Sequence, residues 1–434
     1  MRDLARNLTR STPGVILALT LAGLLAACAV GPDYVRPNVH PPAVFAEAQA
    51  PVYSSAPPAT PRFWEQFGDP TLDQLVDDAL AANRDLRIAV AHLEEARAVH
   101  RLSRFDLFPT VTGSGGYTHE GLPTTESFGL GEPIDERYYD AGFDATWELD
   151  LFGRVRRGVE ASRADVQGAE ASLRDAQVSV TGEVARVYFE LRGEQSELEV
   201  ARGNVANQRA TLDLTEQELD AGRGTELDTS RAQSELSSTL ATIPPLEAAI
   251  DRSMHRLAVL TARPPDALDG LLRPVRELPA LPPIVDVGDP AALLRRRPDI
   301  RVAERELAAA TARIGVAVGD LFPKVTFDGS FGYAAGDPGA LATGGTRAFL
   351  IGPSISWAAF DLGRVRANIA GARARTDAAL ANYQKTVLDA LEDTENALVT
   401  HARAREQLVH AEEAARASRT AAQIASNRFQ GGLS

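Results

Sequence analysis

Histidine, cysteine and carboxylate are the residue types here with the most chemistry to offer, and their spacing offers little of it. The seven histidines (His40, His92, His100, His119, His255, His401, His410) are scattered, with no HExxH pair and no cluster at metal-ligand spacing. His92 and His100 lie eight apart on a stretch that reads as helix, where a solvated face is a better reading than a metal pair. "GDPGALATGG" from Gly336 is glycine-rich but lacks the Gly-Lys-Ser/Thr with which a phosphate loop holds a nucleotide, so it reads as an exposed loop between strands. Asp140, Asp144 and Asp328 alternate with apolar residues. They would make an acid–base pair only if their sheet enclosed a cleft; in a barrel, alternation turns them toward a water-filled lumen. No catalytic constellation emerges, no metal or cofactor is implied, and the chain reads as a non-enzyme.

The single cysteine, Cys28, stands out because of what precedes it. Arg2, Arg6 and Arg10 lead into the apolar run "VILALTLAGLLAA", which ends Leu25-Ala26-Ala27. Basic, then apolar, then small residues is the layout of a secretory leader over residues 1–27. Leu-Ala-Ala-Cys resembles a bacterial lipobox, which implies cleavage before Cys28, a thioether-linked lipid on its sulfur and acylation of the new amino terminus. One cysteine also excludes a disulfide framework. The formal charge of −14 argues against nucleic acid, and no stretch after residue 27 has the roughly 20 apolar residues of a spanning helix. If this chain crosses a bilayer, it does so with strands.

The elements that position these residues come in two copies. "DLFPTVTGSGGY" at Asp106 returns as "DLFPKVTFDGSFGY" at Asp320, and "LFGRVRRGVEASRADV" at Leu151 returns as "DLGRVRANIAGARART" at Asp361. "ELDAGRG" at Glu218 matches "RFQGGLS" at Arg428; Gly153 and Gly363 are 210 residues apart, and so are Gly222 and Gly432. Each copy predicts helix, strand, strand and a very long helix. The strands fall at about 109–119 and 138–149, then about 323–334 and 348–359, where the apolar period is two. In "YYDAGFDATWELD", Tyr139, Ala141, Phe143, Ala145, Trp147 and Leu149 alternate with polar or small partners. Alternation of this kind suits a membrane strand of 9–11 residues, and equally a soluble sheet with one wet face.

The long helices fall at about 154–220 and 364–430, where the period is seven. Val159, Val166, Leu173, Val180 and Val187 form one row, and Val184, Leu191, Leu198, Val205, Leu212 and Leu219 a second. Such rows predict supercoiled packing against neighbouring helices. After Gly222 a return helix is expected at about 225–262. The second copy stops two residues past Gly432, so its own return helix is expected to be missing. The resulting domains are a leader (1–27), a proline-rich lipidated tether or surface-hugging arm (28–62), a first repeat (63–265), a proline-rich equatorial linker (266–288) and a truncated second repeat (289–434).

The lipobox, "CAVGPDYVRP", "FWEQFGDPTLDQLVDDALAANRDL" and the duplicated strand–strand–long-helix unit together resemble the TolC-like outer-membrane efflux proteins. The match runs from Cys28 to Ser434 and falls in the lipoprotein branch that serves resistance–nodulation–division pumps. The resemblance implies an α+β membrane protein in the bacterial outer membrane: a homotrimer with a shared twelve-stranded barrel, continued into the periplasm by a coiled-coil helical tunnel. It implies a periplasmic adaptor and an inner-membrane pump as partners, with outer-membrane lipid held through acylated Cys28. Aspartates at the helix-hairpin tips gate such tunnels, which here points to Asp220 and Asp228. The expected function is a passive exit duct for small molecules. A duct for type I protein secretion is an alternative that differs only in partner. A structural coiled-coil lipoprotein would explain the heptads and the anchor, but not the alternating strands.

Overall fold

A computed structural model of the chain describes residues 29–39, 41–56, 62–122 and 134–430. The leader, Cys28, His40 and the glycine turn at 431–434 lie outside the described residues. The elements run in the order β1 (Tyr53–Ser54), α1 (Pro70–Ala82), α2 (Arg84–Phe105), β2 (Thr110–Leu122), β3 (Ile134–Leu149), α3 (Arg154–Asp220), α4 (Glu226–Leu240), α5 (Ile243–Leu260), α6 (Asp269–Leu272), β4 (Val285–Asp286), α7 (Pro290–Arg296), α8 (Pro298–Gly319), β5 (Lys324–Ala335), β6 (Arg347–Ser356) and α9 (Leu362–Gln430). Among the described residues no helix is long and apolar enough to cross a membrane.

The chain forms two compact units, and each takes residues from both repeats. The first comprises Met1–Asn38, His92–Glu170 and Ile300–Thr386; the second comprises Val39–Ala91, Ala171–Asp299 and Val387–Ser434.

The first unit holds one antiparallel sheet in the order β2-β3-β5-β6, so β2 and β6 are its edges. Leu122 pairs with Ile134 and Tyr333 with Arg347, while Leu149 pairs with Val325. Both hairpin connections therefore lie at one end of the sheet, and all four connections to helices lie at the other. The first hairpin is longer than the apolar pattern suggests. Its ladder continues through polar pairs such as Glu120–Glu136, because backbone bonds need no apolar side chain. β6 is shorter, ending at Ser356 rather than near 359. There Trp357 turns aside to donate its indole N–H to the Leu321 carbonyl (3.0 Å), and Asp361 N closes a turn on Ala358 O.

α3 begins at a glycine and a cap. Gly153 adopts φ +80°, a conformation that favours glycine, and the Asp150 carboxylate accepts from the amides of Val155 (3.0 Å) and Arg156 (2.8 Å).

The second unit carries an apolar core in which Leu72, Leu75, Val76 and Ala79 of α1 meet Val184, Val187 and Leu191 of α3 and Met254, Leu257 and Ala258 of α5. Both heptad rows enter it. Inside lies Arg192, fully buried, its Nη1 donating to Gln195 Oε1 (2.7 Å) and the Pro274 carbonyl (3.0 Å) and its guanidinium over the Tyr188 ring. Tyr188 donates in turn to Asp69 (2.5 Å), whose other oxygen accepts from the amides of Thr71 and Leu72 at the start of α1.

Instead of one return helix over 225–262 there are two, α4 and α5. Ala241 and Thr242 keep helical backbone angles, but Pro244 and Pro245 have no N–H for the carbonyls four residues back, so the ladder breaks between them. The linker is partly ordered: Leu268 and Leu272 are buried around α6, and β4 pairs in parallel with β1. The arm also packs. Ala46 and Glu47 amides donate to Glu395, and Tyr53 Oη donates to the Leu398 carbonyl (2.6 Å).

Candidate functional site

Strand register sorts the first unit's sheet into two chemically distinct faces. On one face Thr112 opposes Asp144, Ser330 follows it across the sheet, and Thr146 opposes Asp328. Asp140 lies on the same face, two steps along the strand from Gly142. All three predicted strand acids therefore share one face. Asp328 is held by three hydroxyls, accepting from Ser354 (2.9 Å), Thr146 (3.1 Å) and Thr326 (3.2 Å), and Asp144 accepts from Ser114 (3.2 Å). A Cβ at Gly116 would sit 2.6 Å from Asp140 Oδ1, so glycine leaves room for that carboxylate.

The opposite face carries Val111, Phe143, Phe331, Phe349, Ile351 and Ile355, each about half exposed or more. Phe143, Phe331 and Phe349 form a row across its middle, and further aromatics stand toward the two ends. Trp147 opposes Phe327 at the helix end, and Tyr117 meets Tyr139 (centroids 4.8 Å apart) at the hairpin end, where Tyr333 also lies. Across the sheet centre the backbones come close: a Cβ at Gly142 would sit 2.9 Å from Phe331 O, and one at Gly332 would sit 2.7 Å from Ala141 O.

At the helix end each repeat carries the same latch. Trp147 Nε1 donates to Leu107 O and Trp357 Nε1 to Leu321 O, both at 3.0 Å. Leu107 and Leu321 are the leucines of the two DLFP motifs, so the duplication read in the sequence extends to a single hydrogen bond. Phe152 and Phe322 stack between the copies at 4.6 Å.

Asp220 and Asp228 flank the turn between α3 and α4, and both are exposed. Gly222 takes φ +68°, and the amides of Arg223 and Gly224 reach back to the Glu218 carbonyl, closing the end of α3. Asp228 belongs to a capping box: Thr225 Oγ1 accepts from Asp228 N, and the Asp228 carboxylate accepts from Thr225 N (3.3 Å) and Oγ1 (2.6 Å). Asp220 has no such task. It ends α3, whose last turn carries no basic residue.

Cys28 is outside the described residues, yet the residues after it are built into the first unit. Val30 N donates to Phe152 O (3.0 Å), and Tyr34 Oη donates to the buried carboxylate of Glu304 (3.0 Å). Burial, then the Glu304 charge, pushes the Tyr34 phenol up to about 12, so it remains a donor. Spacing alone carried no sign of this docking, since its partners lie more than a hundred residues away. His100, read as solvated, bonds instead through Nδ1 to Ser162 Oγ (2.9 Å). No metal-holding cluster occurs among the described residues.

The outer membrane efflux protein family matches this chain over residues 75–263 and 290–434. The solvent efflux pump outer membrane protein SrpC of Pseudomonas putida is 32% identical over 390 residues, covering 86% of this chain and 80% of its own. Nodulation protein T of Rhizobium leguminosarum bv. trifolii is 32% identical over 379 residues, covering 87% of this chain and 79% of its own. Among solved structures, the outer-membrane channel OprN is 44% identical, with a TM-score of 0.86 over 94% of this chain and 90% of that one.

Proposed function

The chain belongs to the outer membrane efflux protein family, and from that premise we propose that it is the outer-membrane exit duct of a tripartite efflux pump, passing small molecules from an inner-membrane pump to the exterior. The observation that carries this reading is the two-faced sheet with two unpaired edges, entered and left by helices at one end only. From Tyr139 to Trp147 is eight residue steps, about 27 Å along the strand and about 20 Å once tilted as barrel strands are, near the height of an outer-membrane apolar band. Open edges leave backbone groups unsatisfied in lipid, which costs several kcal/mol each, so several chains must pool their strands. A homotrimer closes a barrel of twelve.

In that barrel the apolar face meets lipid, and Asp140, Asp144 and Asp328 line the lumen. The helices continue as the periplasmic tunnel, where Asp220 and Asp228 stand at the aperture, and acylated Cys28 anchors the assembly. A periplasmic adaptor and a resistance–nodulation–division pump supply coupling and cargo selection.

Detergent-extracted protein is expected to migrate as a heat-modifiable trimer and to conduct in planar bilayers with cation preference. Replacing Asp140, Asp144 and Asp328 together with asparagine should move the reversal potential toward the anion side. A monomer, or an anion-selective wild type, overturns the corresponding part of the reading.

A further inference from the structure

The residues that follow Cys28 meet a receptor built for them. Arg157, in the first turn of α3, is buried, yet its guanidinium does not face the core. Its Nε donates to Val30 O (3.1 Å), and its Nη2 donates to Gly31 O (3.4 Å) and to Asp33 Oδ1 (2.7 Å). The remaining partner, Glu160 at 2.7 Å, comes from its own helix. Two glycines make the fit possible. A Cβ at Gly153 would fall 2.6 Å from Ala29 Cα, and a Cβ at Gly31, which has φ +92°, would fall 2.5 Å from Gly315 Cα. Farther along, buried Glu304 receives the Tyr34 hydroxyl and lies 3.7 Å from Arg36, while Arg305 lies over the Tyr34 ring. If this segment left, Arg157 would keep Glu160 and lose three of its four partners.

We propose that Arg157 is the residue that positions the lipid anchor. It clamps the backbone just after Cys28 to the helix end of the sheet, so the acyl chains enter the membrane at a fixed point beside the barrel and not from a loose tether. The arginine fork suits the task because it spans two carbonyls and a carboxylate at once, which a lysine point charge cannot do. This rests on acylation of Cys28.

The test is hydrogen exchange of the peptide covering residues 29–36 in the detergent-solubilised full chain, with labelled palmitate incorporation measured on the same preparations. Arg157→Ala should raise exchange about tenfold through local opening while leaving palmitate incorporation unchanged, with Arg157→Lys intermediate. Gly31→Ala approaches from the side of the segment after Cys28, replaces no helix residue and pushes that segment off Gly315 of α8, so it should produce the same loosening; it carries the test if the arginine variant does not fold. Wild-type exchange in both variants overturns the clamp. Failure of the wild type to incorporate palmitate removes the anchor itself, and is read independently of exchange.

Discussion

Trp147 and Trp357 show how much of the joint between sheet and helix rests on single atoms. Each indole N–H meets one carbonyl of a DLFP turn, at the same distance in both copies. Replacing either by phenylalanine keeps an aromatic ring and removes the donor, leaving a carbonyl without its partner. Each change is expected to cost about 1 kcal/mol and to lower the thermal unfolding midpoint, a typical net effect for one hydrogen bond. Unchanged midpoints in both variants would show that the bonds are incidental. Residues of this kind were partly legible. The DLFP repeat and the 210-residue offset announced equivalent positions, but nothing in spacing says which side chain reaches which carbonyl. The alternation around Asp140, Asp144 and Asp328 was legible because a strand's period is two whatever it pairs with. The hydroxyl cluster on Asp328 was not, because it depends on the register of three strands.

At the scale of elements, the α3–α4 turn separates stability from function. Thr225 and Asp228 complete a capping box, so Thr225→Ala should destabilise the start of α4 by about 1 kcal/mol. It should be visible as faster amide exchange in the first turn of α4. Asp220 places a negative charge at the negative end of a helix dipole, an arrangement that disfavours the helix. Asp220→Asn is expected to stabilise the tip by a few tenths of a kcal/mol while raising the conductance of the closed duct, if the carboxylate serves the aperture. A variant both more stable and equally closed would return Asp220 to the ordinary surface. The long helices were the most legible elements, since heptad rows such as Val184, Leu191, Leu198 and Val205 persist over many turns. The break between α4 and α5 follows from Pro244 and Pro245, whose lost donors outweigh a backbone that stays helical. The arm was the least legible, because Tyr34 and Tyr53 find their partners only in tertiary structure.

For the whole molecule, the second unit carries a half-buried carboxylate, Asp69, whose contribution depends on pH. Burial acts to raise the Asp69 carboxyl, but the Tyr188 hydroxyl, the Thr71 and Leu72 amides and Arg192 outweigh it and hold the group below its ordinary range. A carboxyl depressed in the folded state stabilises above its unfolded pKa and loses that contribution as pH falls through the folded one. Thermal stability is therefore expected to hold above about pH 5 and to decline from about pH 4 downward. Asp69→Asn should flatten that decline, and equal slopes in the two proteins would remove Asp69 from the account.

The division of each compact unit between the two repeats has a temporal meaning. Tyr139 cannot meet Ala335, nor Glu47 meet Glu395, until most of the polypeptide has emerged from the translocon. Contacts of such long sequence separation form slowly, and apolar strands waiting for them are prone to aggregate. The first repeat by itself is thus a nascent intermediate, half of each unit and the whole of neither. A newly exported chain is therefore expected to be most open to aggregation in the interval before its second repeat arrives.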